Sequence, residues 1–190
     1  EILENSGFVY VFSLNRSELK ITYKDGNFEP KEFPVSSNVE AFRKLTNKKG
    51  FSFREVAAAG NNSVECEINA SFNNVFDSES EGVKSVASPK HADAIVYSGP
   101  ISKNMQEPLK IAWDVMPEPK ALIANGTEAI SGGLFTLGET PKEPDLFIAG
   151  DPPRPDVMIN AYRFLMGRMK FAFQTNLKRR FIELKEKNRG

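Results

Sequence analysis

Four short apolar runs each stop at a glycine: "FSFREVAAAG" (51–60), "DAIVYSG" (93–99), "KALIANG" (120–126) and "DLFIAG" (145–150). Runs of this length and composition read as strands, and a glycine at the end lets the backbone turn sharply. Helix-length stretches follow the first, second and fourth runs. A chain that alternates strands and helices in this way lays its strands parallel and covers both faces of the sheet. The expected fold is α/β: a three-layer sandwich with a mostly parallel sheet and strands near 51–58, 93–98, 120–125 and 145–150.

The flanks read differently. "GFVYVFSL" (7–14) and "ELKITYKDG" (18–26) are rich in β-branched and aromatic residues, and Asn15-Arg16-Ser17 between them predicts an antiparallel β-hairpin. "SNVEAFRKLTNKKG" (37–50) predicts a helix with a Ser37–Glu40 capping box, ended by Gly50. Residues 1–50 thus form an N-terminal extension of hairpin and helix, ahead of an α/β domain over 51–160. Within that domain, "VECEINASFNNVF" predicts about three helical turns after Ser63. Met105, Leu109, Trp113 and Met116 share one face of a further helix despite Pro108. From Met158 onward, Tyr162, Leu165, Met169, Phe173, Leu177, Phe181 and Leu184 keep a three- and four-residue rhythm, predicting one long helix. Its distal part, 161–190, is a basic C-terminal helix with nine basic residues against two acidic, on a body with sixteen basic against twenty-three acidic.

Composition bounds the function. With 190 residues the chain suffices for one α/β domain with a full core. Lys plus Arg equals Asp plus Glu at 25 each, and the acidic body carries no aromatic-basic stripe, which argues against nucleic acid. Cys66 is the only cysteine, so this chain alone forms no intrachain disulfide, zinc finger or all-thiolate iron-sulfur site. No apolar run approaches the roughly 18 residues of a membrane span, and the N-terminus lacks the pattern of a signal peptide, so the chain is expected to be cytoplasmic. It opens at Glu1, not methionine, and part of its N-terminus is expected to be missing. There is no phosphate loop, no G-x-G-x-x-G and no serine-histidine-acid set.

In open parallel sheets ligands bind beyond the carboxyl ends of the strands. Here those ends are "AAGNNSVEC", "YSGPIS", "ANGTEAISGG" and "AGDPPRPD". The last puts Asp151 at the tip of a turn stiffened by Pro152 and Pro153.

These residues carry a resemblance. Ser88 to Asp93, Gly99, Lys103 to Met105, Met116 to Pro119, Ser131 to Gly133 and Gly150 to Pro153 occur in the order of motifs of one family. The chain over about 51–165 resembles the 20 kDa iron-sulfur subunit of respiratory complex I, together with the small subunits of energy-converting nickel-iron hydrogenases and formate hydrogenlyases. The resemblance implies a flavodoxin-like sheet and a subunit that holds one four-iron four-sulfur cluster by four cysteines and passes electrons to quinone or to a catalytic partner. The family's ligand positions fall on Ser63, Cys66, Glu128 and Asp151, so three of the four cysteines are replaced. The loop after Ser131-Gly132-Gly133 is also shorter than the family's.

Clusters are held by thiolates, and each ligand replaced by a hard oxygen weakens the fit. The leading expectation is therefore a redox-silent homologue, with no cofactor and no catalysis of its own, that acts as a structural or assembly subunit of a membrane-associated oxidoreductase complex. Its expected partners are the other subunits of that complex, with a cytoplasmic-side membrane surface as a further contact for the basic C-terminal helix. One alternative is electron transfer through an unusually ligated cluster, or a single metal held by Cys66, Glu128 and Asp151. Another is a stand-alone module that binds a small ligand. His91 is expected to pack or hydrogen-bond, Arg154 to form an ordinary surface ion pair, and Trp113 to lie in the core.

Overall fold

The structure is a computed structural model and describes residues 11–20, 23–24, 27–31 and 33–187. Among these residues the strands are β1 (Phe12–Ser13), β2 (Tyr23–Lys24), β3 (Asn27–Phe28), β4 (Phe51–Ala57), β5 (Val83–Ser85), β6 (Ala94–Ser98), β7 (Ala121–Asn125) and β8 (Leu146–Ile148). The α-helices among them are α1 (Ser37–Thr46), α2 (Ser63–Ala70), α3 (Lys103–Asp114), α4 (Thr127–Ser131), α5 (Pro155–Leu165) and α6 (Phe173–Lys187).

All four predicted strands lie in one six-stranded sheet of order β1-β8-β7-β6-β4-β5. Every pairing in it is parallel except that of β1 with β8. β6, β7 and β8 are buried at every residue, because helices cover both faces. One face packs against Val39 and Phe42 of α1, Val64 and Ile68 of α2, and Met158, Tyr162 and Leu165 of α5. The other packs against Leu109 of α3 and Ala129 of α4. This is the three-layer, flavodoxin-like arrangement. The order reverses between β4 and β6, whose following helices leave to opposite faces, so a crevice opens there at the carboxyl edge.

The N-terminal extension contains a β-hairpin, but from other residues than expected: its strands are β2 and β3. Phe12 and Ser13 pair instead with Ile148 and Phe147, because the outer edge of β8 offers unpaired backbone groups beside a core in which Phe12 is fully buried. The expected turn at 15–17 is a 3-10 helix, Arg16–Leu19, capped by the Asn15 side chain. Residues 7–10 of the first expected strand lie outside the described residues. The cap of α1 is Ser36, whose hydroxyl accepts from Val39 N, one residue ahead of the predicted Ser37.

The long C-terminal helix is broken. α5 ends at Leu165, where Arg43 of α1 donates to the Phe164 and Leu165 carbonyls and Asn47 donates to that of Met166. Those partners satisfy the carbonyls that a continuing helix would have used, and Gly167 turns away at φ +74°. α6 then folds back on the extension: Phe173 and Leu177 are buried with Phe28, and the Gln174 amide donates to the Glu18 carbonyl while accepting from Lys31 N. The unbroken apolar rhythm thus covers two helices that pack on different surfaces. The side chain of Leu184 lies outside those described.

Candidate functional site at the carboxyl edge

The frame of the site is built from backbone contacts. Ala58 N donates to Ser98 O and Ile101 N returns a bond to Ala58 O, so the loops after β4 and β6 are tied across the crevice. Gly99 has φ +76°, and a Cβ there would collide with the backbone of Gly60. Gly126 N donates to Ile148 O and Thr127 N to Gly150 O, which ties the loops after β7 and β8 in the same way. A Cβ on Gly126 would lie 2.7 Å from Val64 of α2, so the second pair of loops abuts the first. The glycines therefore do more than end strands: they allow four loops to close into one platform.

The four predicted positions sit on that platform. Ser63 opens α2 and its hydroxyl donates to Asn61 Oδ1 at 2.5 Å. Cys66 is one turn on, exposed, with only a long contact of 3.8 Å from Asn62 Nδ2. Glu128 lies in α4, with Oε2 3.2 Å from where a Gly60 Cβ would be, so its carboxylate reaches across the crevice toward the β4 loop. Asp151 is exposed and follows Gly150, the residue whose carbonyl holds Thr127. Neither the Glu128 nor the Asp151 side chain has a hydrogen bond or ion pair among the described residues. Also among them, no three side chains of His, Cys, Asp or Glu stand close enough to share a metal ion.

The donor set does not suit a four-iron four-sulfur cluster. It offers one thiol, one hydroxyl and two carboxylates where soft iron of a cluster binds thiolate, with imidazole as the attested substitute. The loop after Gly132-Gly133 presents Leu134 and Phe135 to solvent, 99 % and 62 % exposed, beside Gly133 and hence beside Glu128.

Sequence reasoning missed Glu65. It stands between Ser63 and Cys66 but is 8 % exposed, and the Ser98 hydroxyl donates to its Oε1. Its place beside Val64 and one turn before Ile68, both buried, was the available signal. Of the other residues singled out, His91 is exposed, Arg154 pairs with Asp156 at 3.3 Å, and Trp113 is partly buried under the Lys120 ammonium at 4.5 Å. A groove of about 470 Å³ between the extension and the α5–α6 junction contains none of the candidate residues.

Residues 58–165 match the family described as NADH ubiquinone oxidoreductase, 20 Kd subunit. The chain is 30 % identical over 158 residues to formate hydrogenlyase subunit 7 of Escherichia coli, covering 77 % of this chain and 62 % of that protein. It is 33 % identical over 106 residues to the probable membrane-bound hydrogenase subunit mbhJ of Pyrococcus furiosus, covering 52 % and 64 %. It is 36 % identical over 102 residues to an F(420)H(2) dehydrogenase subunit of Methanosarcina mazei, covering 50 % and 55 %. The chain thus spans less than two thirds of the length of each of these relatives. Among solved structures it is similar in fold to a chain of the membrane-bound sulfane sulfur reductase, an archaeal respiratory membrane complex, with TM-score 0.55 and 22 % identity over 66 % of this chain and 73 % of that one. The reversal of strand order between β4 and β6, the glycine platform and the match over 58–165 agree: the chain belongs to the NADH ubiquinone oxidoreductase 20 Kd subunit family.

Proposed function

We propose that this chain is a redox-silent subunit of a membrane-associated oxidoreductase complex, which keeps the family's fold and docking surfaces without a cluster at the family's site. One observation carries the reading. The platform that would present four ligands is closed by glycine contacts at each loop, while two of its tips carry carboxylates, Glu128 and Asp151, with no bonding partner among the described residues. A frame retained around ligands unsuited to the group it frames is what loss of the cofactor leaves behind.

The names of the relatives point to assembly as the setting, since they are subunits of hydrogenlyase, hydrogenase and dehydrogenase complexes. No helix among the described residues is long and apolar enough to cross a membrane, so attachment in this reading is through partner subunits. α6 offers a second contact: Phe173 and Leu177 are buried on the extension, whereas Ile182 is 46 % exposed beside Lys178, Arg179 and Arg180.

Iron and acid-labile sulfide analysis of anaerobically purified full-length chain tests the proposal. The expected result is less iron and sulfide than one cluster per chain. Close to four irons and four sulfides per chain overturns it and restores electron transfer.

A further inference from the structure

The groove between the extension and the α5–α6 junction is built almost wholly from segments that flank the family's span: of the residues that line it, only Phe164 lies within 58–165. One wall comes from the extension, with Leu14, Phe33 and Val35, and the other from the junction, with Phe164, Met169 and Phe171. Phe164 and Phe171 meet edge to face at 6.0 Å, and both pack on the core of the sheet face under α5. All six side chains are half-buried, and none of the large apolar side chains that protrude from the described residues lines the groove. A surface that enters a bilayer offers protruding apolar side chains. This one offers a furrow of about 470 Å³, the size of small-molecule sites, which are mostly apolar with a few placed polar groups.

The charges that border the furrow are unbalanced. Among the described residues, Lys31, Arg43 and Lys170 stand against a single acid, Glu18, whose carboxylate already accepts from the Ser13 hydroxyl. The Lys31 and Lys170 ammonium groups are exposed and have no hydrogen bond or ion pair among the described residues. Arg43 is half-buried, with its guanidinium 5.7 Å over the Phe164 ring. It lies against Gly167, where a Cβ would stand 3.2 Å from Arg43 Cδ. Its Nε and Nη2 donate to the Leu165 and Phe164 carbonyls. Its Nη1 has no partner, and no carboxylate pairs with the guanidinium, among the described residues. A cation held partly out of water without a counter-ion is costly, and an anion brought beside it recovers that cost.

We propose that this groove binds a single-chain anionic amphiphile of the fatty-acid type, with its alkyl chain between the two apolar walls and its carboxylate held by Arg43 Nη1, Lys31 and Lys170. The walls exclude water from the chain, and the surplus of positive charge selects the sign of the head. A carboxylate of this kind is small enough to take the one guanidinium nitrogen that the helix carbonyls leave free. No lining residue belongs to the platform that carries Ser63, Cys66, Glu128 and Asp151, so the site stands whether or not a cluster binds there.

Isothermal titration calorimetry of the full-length chain with decanoate, kept below its micelle-forming concentration, tests this directly. Saturable binding of one decanoate per chain is expected, with the neutral decanol bound about tenfold more weakly for want of a charged head. Reversing the exposed rim in Lys31→Glu combined with Lys170→Glu should weaken decanoate by about tenfold or more and leave decanol unchanged. Ala172→Trp, at an exposed position that lines the groove, should obstruct both ligands. Both variants change solvent-facing side chains, so circular dichroism should show the native fold in each. The proposal is overturned if decanoate does not saturate, if acetate competes as well as decanoate, or if decanol binds equally. It is also overturned if neither variant weakens decanoate, or if the chain floats with phosphatidylglycerol vesicles while failing to bind decanoate, which would make the surface a bilayer contact.

Discussion

The two ends of the sheet use carboxylates in opposite ways. At the amino end Asp145, 5 % exposed, accepts from Leu122 N at 3.0 Å and from Asn38 Nδ2 at 3.0 Å, and pairs with Lys142 at 2.6 Å. Asp93 accepts from Ser52 N at 2.9 Å and pairs with Lys49 at 3.7 Å. Each ties the start of one strand to its neighbour. At the carboxyl end Glu128 and Asp151 tie nothing to anything among the described residues; backbone bonds and glycine contacts hold that end instead. The difference separates acids that tie strands together from acids at loop tips whose side chains bond to nothing among the described residues, which is the contrast the cluster-free proposal rests on.

The frame should be the most sensitive part of the comparison. Gly99→Ala forces a side chain into a left-handed backbone and against Gly60, and it is expected to cost about 3 kcal/mol or more in urea unfolding. A cost below about 1 kcal/mol would show that the two loops are not closed as described. Next comes Asp145→Ala, which strips a buried amide, an asparagine and a lysine of their acceptor, at about 2–4 kcal/mol. Asp93→Ala is expected to cost less, about 1–2 kcal/mol, because Lys49 is half-exposed and rehydrates.

Acid titration should read the ends with opposite sign. Glu81, before β5, is held below the ordinary carboxylate range mainly by its hydrogen bond from Arg163. Its contribution is present above the unfolded pKa and is lost as pH falls through the depressed folded value. Glu55, toward the carboxyl end, is shifted upward, so stability falls as pH rises from the ordinary value through the raised one. Glu81→Gln is therefore expected to lower stability at pH 7 and to have no effect in strong acid. Glu55→Gln should raise it at pH 7, by under about 1 kcal/mol because the group is only half-buried, with the gain vanishing in strong acid. Thermal melts across the pH range decide both.

The smallest effects are expected at the tips themselves. Glu128→Gln and Asp151→Asn should each change stability by less than about 0.5 kcal/mol. A larger loss from either would give that acid a structural role and remove the contrast. In the same preparations Cys66 should alkylate as an exposed thiol without prior denaturation, since no ligand bond protects it in the cluster-free reading.

Much of this was legible in the chain. Strand composition and terminal glycines placed β4, β6, β7 and β8, because strands covered on both faces tolerate little but apolar residues. The motif order located the loops that carry Ser63, Cys66, Glu128 and Asp151. Local pattern could not say which edge Phe12 and Ser13 would join, since pairing partners are chosen by which backbone groups remain free once the sheet has formed. Nor could the rhythm from Met158 to Leu184 reveal its interruption at Gly167, because the signal to stop is Arg43 and Asn47, more than a hundred residues away, reaching the last carbonyls of α5. Glu65 was hidden for the same reason. A charged residue in a short helix reads as solvated until the sheet beneath it buries it and Ser98 of β6 bonds its carboxylate. Sequence determined the sheet, the loops and the chemistry they carry; tertiary contact decided which polar groups lose water, a property of neighbours that no local stretch contains.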